Sequence, residues 1–146
     1  MRALLLAAAI ATVTLASLSS TASATAPQPT TIAGTVTQFG PPPDFRGTWQ
    51  LSGGISDSGS FVETELHLPE AFDHSPVAVI FQAVIVFSGT NGTFTVAQQS
   101  QSTGLPEGTW QVRSGTGAYA RLSGHGKFAF SPPNSLTFTG VMSKAG

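Results

Sequence analysis

The chain is predicted to be all-β, a single eight-stranded antiparallel β-barrel, on three observations. Beyond the first 24 residues no apolar repeat of helical period runs for about 11 residues without a Gly or Pro interrupting it. Segments rich in Val, Ile, Phe, Thr and Trp recur along the chain, each bounded by Gly, Pro, Asn or Asp. The chain also has no cysteine, so no disulfide can staple an open sheet, and closure is the means left of removing exposed strand edges. An open two-sheet sandwich is the alternative architecture. The interior of an eight-stranded barrel is either filled by side chains or just wide enough for one small ligand.

The first 24 residues are set apart from the fold. Arg2, an uncharged stretch from Ala3 to Leu18 and the small-residue site Ala22-Ser23-Ala24 read as a secretory signal peptide cut after Ala24. Thr12, Thr14 and Ser17 dilute its apolar centre, which argues against a retained membrane span. The expected product is an exported domain, residues 31–146, behind a disordered Pro-rich lead, residues 25–30. Six Lys and Arg stand against seven Asp and Glu, and removing Arg2 makes the balance more acidic. Such a chain offers no basic platform for nucleic acid or anionic membrane.

Strands are expected at Thr31–Gln38, Gly47–Ser56, Ser60–Leu68, Val77–Ser88, Gly92–Gln101, Gly108–Ser114, Ser123–Ser131 and Ser135–Met142. Gly89-Thr90-Asn91-Gly92 predicts a hairpin, with Asn-Gly favouring a type I′ turn. The prolines of "FGPPPDFRG" and "SPPNS" stiffen two further connections. Alternation of period two puts Trp49 and Leu51, Phe94 and Val96, Trp110 and Val112, Phe128 and Phe130, and Leu136 and Phe138 inside. In the third strand it favours Val62, Thr64, Leu66 and Leu68 as the buried face, leaving Phe61, Glu63, Glu65 and His67 outside. The fourth strand is apolar on both faces, so its outer face is expected to be covered by a loop, the N-terminal segment or a second subunit of a homo-oligomer.

The string "SGTGAYARLSGHGKF", residues 114–128, contains a G-x-G-x-x-A pattern of the dinucleotide-binding type. That chemistry needs a crossover helix and an acidic residue about 20 positions on for the ribose. Gly124 and Gly126 leave no room for the helix, and no Asp or Glu follows Glu107. The glycines are instead expected to form a tight turn at Gly115 and Gly117, one short helical turn at Ala118-Tyr119-Ala120, and a bend at Gly124 and Gly126.

With its preceding strand, residues 108–128 resemble the strand, glycine turn and strand of the allene-oxide-cyclase-like barrel superfamily, which includes plant dirigent proteins. "FSGTNGTFTVAQQ", residues 87–99, is similar to the hairpin of a bacterial branch of small barrels of unknown function. The resemblance implies an apolar cavity in a barrel, often in a dimer or trimer, and activities from epoxide-opening cyclisation to the steering of radical coupling. The plant cyclases use a buried glutamate near the first strand and a cysteine; Thr31–Gln38 contains no acid and the chain has no Cys, so no catalytic residue carries over.

Candidate chemistry is therefore read from the residues. Glu63, Glu65 and His67 stand two apart on one strand face, about 7 Å between successive Cα atoms, a spacing that would suit a shared metal or proton, but the apolar opposite face makes a solvated outer face the expected reading. His74, in a loop with Glu70 and Asp73, and His125 lack a nucleophile setting and read as surface histidines. Asp44 and Arg46 read as a rim ion pair. The aromatic interior offers a ligand site of Trp49, Phe81, Phe94, Gln98, Trp110, Tyr119 and Phe128, with Gln98, Tyr119 and Thr64 as polar contacts. The expected ligand is a small hydrophobic molecule, bound without cofactor or metal and open to cyclisation or isomerisation by confinement; the competing expectation is a non-catalytic extracellular binding or interaction module with a filled core.

Overall fold

A computed structural model describes residues 24–69, 80–101 and 105–146. The eight strands are β1 (Gln28–Gln38), β2 (Arg46–Gly53), β3 (Asp57–His67), β4 (Ile80–Gly89), β5 (Gly92–Gln101), β6 (Glu107–Gly115), β7 (Leu122–Ser131) and β8 (Ser135–Lys144). Each pairs antiparallel with its neighbour in sequence, and β1 pairs with β8, so the sheet closes in chain order. The expected class and strand number hold, and the sandwich is excluded. Strand ends differ from the expected ones by a few residues. β1 starts at Gln28, inside the segment expected to be a disordered lead, because Gln28 and Pro29 lie opposite Met142 and Val141 of a β8 that extends to Lys144. The expected start of the fourth strand at Val77, and the loop with Glu70, Asp73 and His74, lie outside the described residues.

Because alternate strands reverse direction, the connections collect at two ends. One end, here the mouth, receives the prolyl loop 39–45 and the connections after β3, β5 and β7. The other, the floor, receives 54–56, 90–91 and 116–121. The inward residues named from alternation on the second, fifth, sixth, seventh and eighth strands are all buried or half-buried. They pack with Ile32, Phe61, Ile85, Phe87 and Met142 into one core.

Two local expectations are corrected. The β4–β5 hairpin forms, but neither Thr90 nor Asn91 has positive φ, so the turn through them is not type I′; Gly92 carries the positive φ, 140°, instead. In β3 the register slips at Thr64, since Glu63 lies opposite Ile85 whereas Glu65 lies opposite Val84. This bulge inserts one residue and changes the phase of the alternation. Before it Phe61 and Glu63 point inward; after it Leu66 does, opposite the buried Ala83. Val62 is half-buried outside, opposite Val86, and Leu68 is exposed beyond the strand end.

The glycine string behaves as a turn. Gly117 begins a single 3-10 turn, Gly117–Tyr119, with φ 58°, and carries Tyr119 into the floor.

Candidate functional site

The floor is solid. Phe87 and Phe94 stack at 4.9 Å between ring centroids, and Trp49 stands edge-on to both, at 5.7 and 5.4 Å. The Trp49 indole N–H donates to the Ser60 and Ser88 carbonyls at 2.9 and 3.3 Å, so this buried donor is satisfied. Beneath Phe94 lies Tyr119, wholly buried, whose hydroxyl donates to Asp57 Oδ2 at 2.6 Å. Asp57 also accepts from the backbone N–H groups of Ser58, Thr90 and Asn91. One carboxylate thus ties β3, the β4–β5 turn and the 3-10 turn together. Desolvation works to raise the Asp57 pKa, but the Tyr119 hydroxyl and these three N–H donors outweigh it and hold the carboxyl well below the usual range. Burial and the Asp57 charge raise the Tyr119 phenol in turn.

The mouth is hollow. A cavity of about 280 Å³ lies between Phe45, Phe81, Phe128, Phe130, Ile85 and Leu136, with Phe39 across its outer edge. Phe39 packs edge-on against Phe45 and Phe130, at 5.8 and 6.3 Å, so the prolyl loop closes over the barrel from one side. The Phe45 carbonyl accepts the Glu63 backbone N–H at 2.9 Å, which fixes that loop to β3 next to the Glu63 side chain. The Asp44–Arg46 pair, 3.3 Å and half-exposed, sits outside at the rim, as expected.

Among the described residues, two with polar side chains line this cavity, Glu63 and Gln98. Glu63 is 7% exposed, and its carboxyl makes no hydrogen bond or ion pair among the described residues. Burial in apolar surroundings pushes its pKa up to about 7. Gln98 is 6% exposed; its Nε2 donates to Ser100 Oγ at 2.8 Å, and its Oε1 has no partner. Such groups cost stability unless they meet a partner, and interiors rarely retain them without one.

The structure divides the aromatic set named from sequence. Phe81, Gln98 and Phe128 line the cavity. Trp49, Phe94 and Tyr119 are in the packed floor. Trp110 is buried against Phe138 and donates its indole N–H to the Thr139 carbonyl at 3.2 Å. Thr64 is exposed at the bulge and donates to the Val84 carbonyl, so it is no lumenal contact. Glu63 was expected outside with Glu65 and His67, and this is corrected: it lies before the bulge in the inward phase of Phe61, while Glu65 and His67, after the bulge, are an exposed pair 3.4 Å apart on the outer wall. The three do not converge. His125 is exposed on β7.

These features define a class: a closed antiparallel barrel with a sealed floor and a mouth cavity lined by a buried acid that has no partner among the described residues. A scan against protein-family models and searches of the curated proteins and the solved structures return no match.

Proposed function

We propose that this protein binds a small hydrophobic molecule in the mouth of its barrel, with the polar end of that molecule on Glu63 and Gln98. The observation that carries this reading is the Glu63 carboxyl, buried in an apolar cavity with no partner among the described residues. Burial disfavours the charged carboxyl there and no partner among the described residues offsets that cost, whereas a ligand group would. A volume of about 280 Å³ lies at the small end of ligand sites, which points to a molecule of one or two rings or a short branched chain. The resemblance to allene-oxide-cyclase-like barrels supports a lumenal ligand and an isomerase or cyclase activity. The signal-like N-terminus supports action outside the cytoplasm. The outer face of β4, with Val84 and Val86 half-buried, is the surface for a homo-oligomer contact. A filled-core interaction module would account for the floor but not for the mouth.

Leu66, which lines the cavity after the bulge, provides the test. Titration with the uncharged fluorophore 1-aminoanthracene is expected to give saturable binding. Leu66→Trp, which fills the cavity, weakens it at least about tenfold, and Trp49→Phe in the floor leaves it unchanged. Equal binding by Leu66→Trp, checked for an intact thermal transition, would place the fluorophore elsewhere and overturn the reading.

A further inference from the structure

The sequence contains seven acidic residues, and Glu63 is the one that lines the mouth cavity among those described. Asp57 in the floor accepts four hydrogen bonds, whereas the Glu63 carboxyl accepts none among the described residues. Glu63 points inward in the phase it shares with Phe61, and the bulge that follows brings Leu66 to the same cavity, bulges being a common means of re-aiming a side chain at a site. Gln98 supplies a second, independent observation: an amide more than nine-tenths buried, held by Ser100, with one polar atom unpaired at the same cavity. The Ser100 hydroxyl can donate as well as accept, so it supports the amide in either orientation, one leaving Oε1 unpaired and the other Nε2.

We propose that Glu63 is the acid–base group of an enolisation site, moving a proton between carbons of a small apolar ketone whose carbonyl oxygen is held by the Gln98 amide. This rests on the lumenal-binding reading and adds to it a substrate class and a reaction. A Glu63 carboxylate oxygen forms a bond to the proton on the carbon next to the carbonyl. The C–H electron pair becomes the C=C bond of the enolate, and the carbonyl π pair moves onto oxygen, where Gln98 Nε2 donates a hydrogen bond. The Glu63 O–H then returns its proton to the same carbon or, in a β,γ-unsaturated ketone, to the γ carbon, so that the double bond shifts and the carbonyl reforms. Glu63 ends as carboxylate, and no electrons are gained or lost. Ser100 acts as a positioning residue through Gln98.

The environment suits this chemistry. A base works best when its pKa lies near the working pH, and burial has brought Glu63 to about 7. The other described residues lining the cavity, from Phe39, Gly40 and Phe45 of the prolyl loop to Leu66, Phe81, Ile85, Gln98, Pro106, Phe128, Phe130 and Leu136, carry no titratable side chain. Among the described residues lining the cavity, Glu63 is therefore the group that a pH profile of the reaction reports.

The experiment uses the purified chain with 2-tetralone in D2O, following exchange of the protons next to the carbonyl by NMR, and measures binding of the ketone separately by displacement of 1-aminoanthracene. The expected result is exchange at least about 100-fold above buffer, the scale of general acid–base catalysis, rising with pH to a plateau above about 7. Glu63→Gln abolishes it while still binding the ketone, Glu63→Asp restores part of it, and Glu65→Gln on the outer wall leaves it unchanged. Fluorophore binding without ketone binding would overturn the substrate class alone. Ketone binding without exchange, or equal exchange by Glu63→Gln, would overturn the proton transfer and leave lumenal binding standing. Absence of both fluorophore and ketone binding would overturn both readings.

Discussion

The two ends of this barrel treat a carboxyl in opposite ways. At the floor, Asp57 is surrounded by donors, and its charge is needed to hold Tyr119 and three backbone N–H groups in place. At the mouth, Glu63 faces aromatic rings with no donor among the described residues, and burial favours its neutral form. The same functional group therefore serves stability at one end and remains available for a ligand at the other.

Trp49→Ala tests the floor with the largest effect. It removes a buried indole from a packed aromatic cluster and both of its hydrogen bonds, and is expected to cost about 3–5 kcal/mol in denaturant unfolding. A cost below about 1 kcal/mol would mean that the floor is not the stabilising end.

Asp57→Ala comes next. It leaves the buried Tyr119 hydroxyl without an acceptor, at about 1–3 kcal/mol. The folded-state pKa of Asp57 lies below its ordinary 3.8, so its contribution is complete above that value and is lost as the pH falls further. The gap in stability between the native chain and Asp57→Asn should accordingly shrink in acid, and a gap constant from pH 7 to pH 2 would refute the charge-based account.

The smallest effect, and the one of opposite sign, belongs to the mouth. The folded-state pKa of Glu63 is raised from 4.5 to about 7, so the chain is most stable below the lower value and loses that advantage as the pH rises through the higher one. Glu63→Gln should therefore match the native chain near pH 5 and melt at a higher temperature near pH 8.5. A variant less stable than the native chain at both pH values would show that Glu63 is paired and structural, and would erase the contrast between the two ends.

Much of this architecture was legible in the residues. Turn-bounded β-rich segments predicted eight strands, and alternation placed Trp49, Phe94, Trp110, Phe128 and Phe138 inside because each lies on a strand whose phase has one sensible solution. The glycine string was legible as a turn because both the helix and the acid of a nucleotide site were missing. Glu63 was not legible. Alternation fixes the period of a strand but not its phase, and the apolar residues of β3 support one phase before Thr64 and the other after it. The available signal was Phe61, a large apolar residue that a single-phase reading left outside on the same face as Glu63.

The floor pair was illegible for a different reason. Asp57 and Tyr119 are 62 residues apart, and only closure of the barrel brings the 3-10 turn under β3. The sequence by itself determined the strand content, the antiparallel order and most of the core, since these follow from local propensity, turn chemistry and period-two burial. The tertiary structure alone decided which of the acids is inside, which end is sealed and where the cavity lies. A bulge is defined by the strand opposite it, and a cavity by walls that come from every part of the chain.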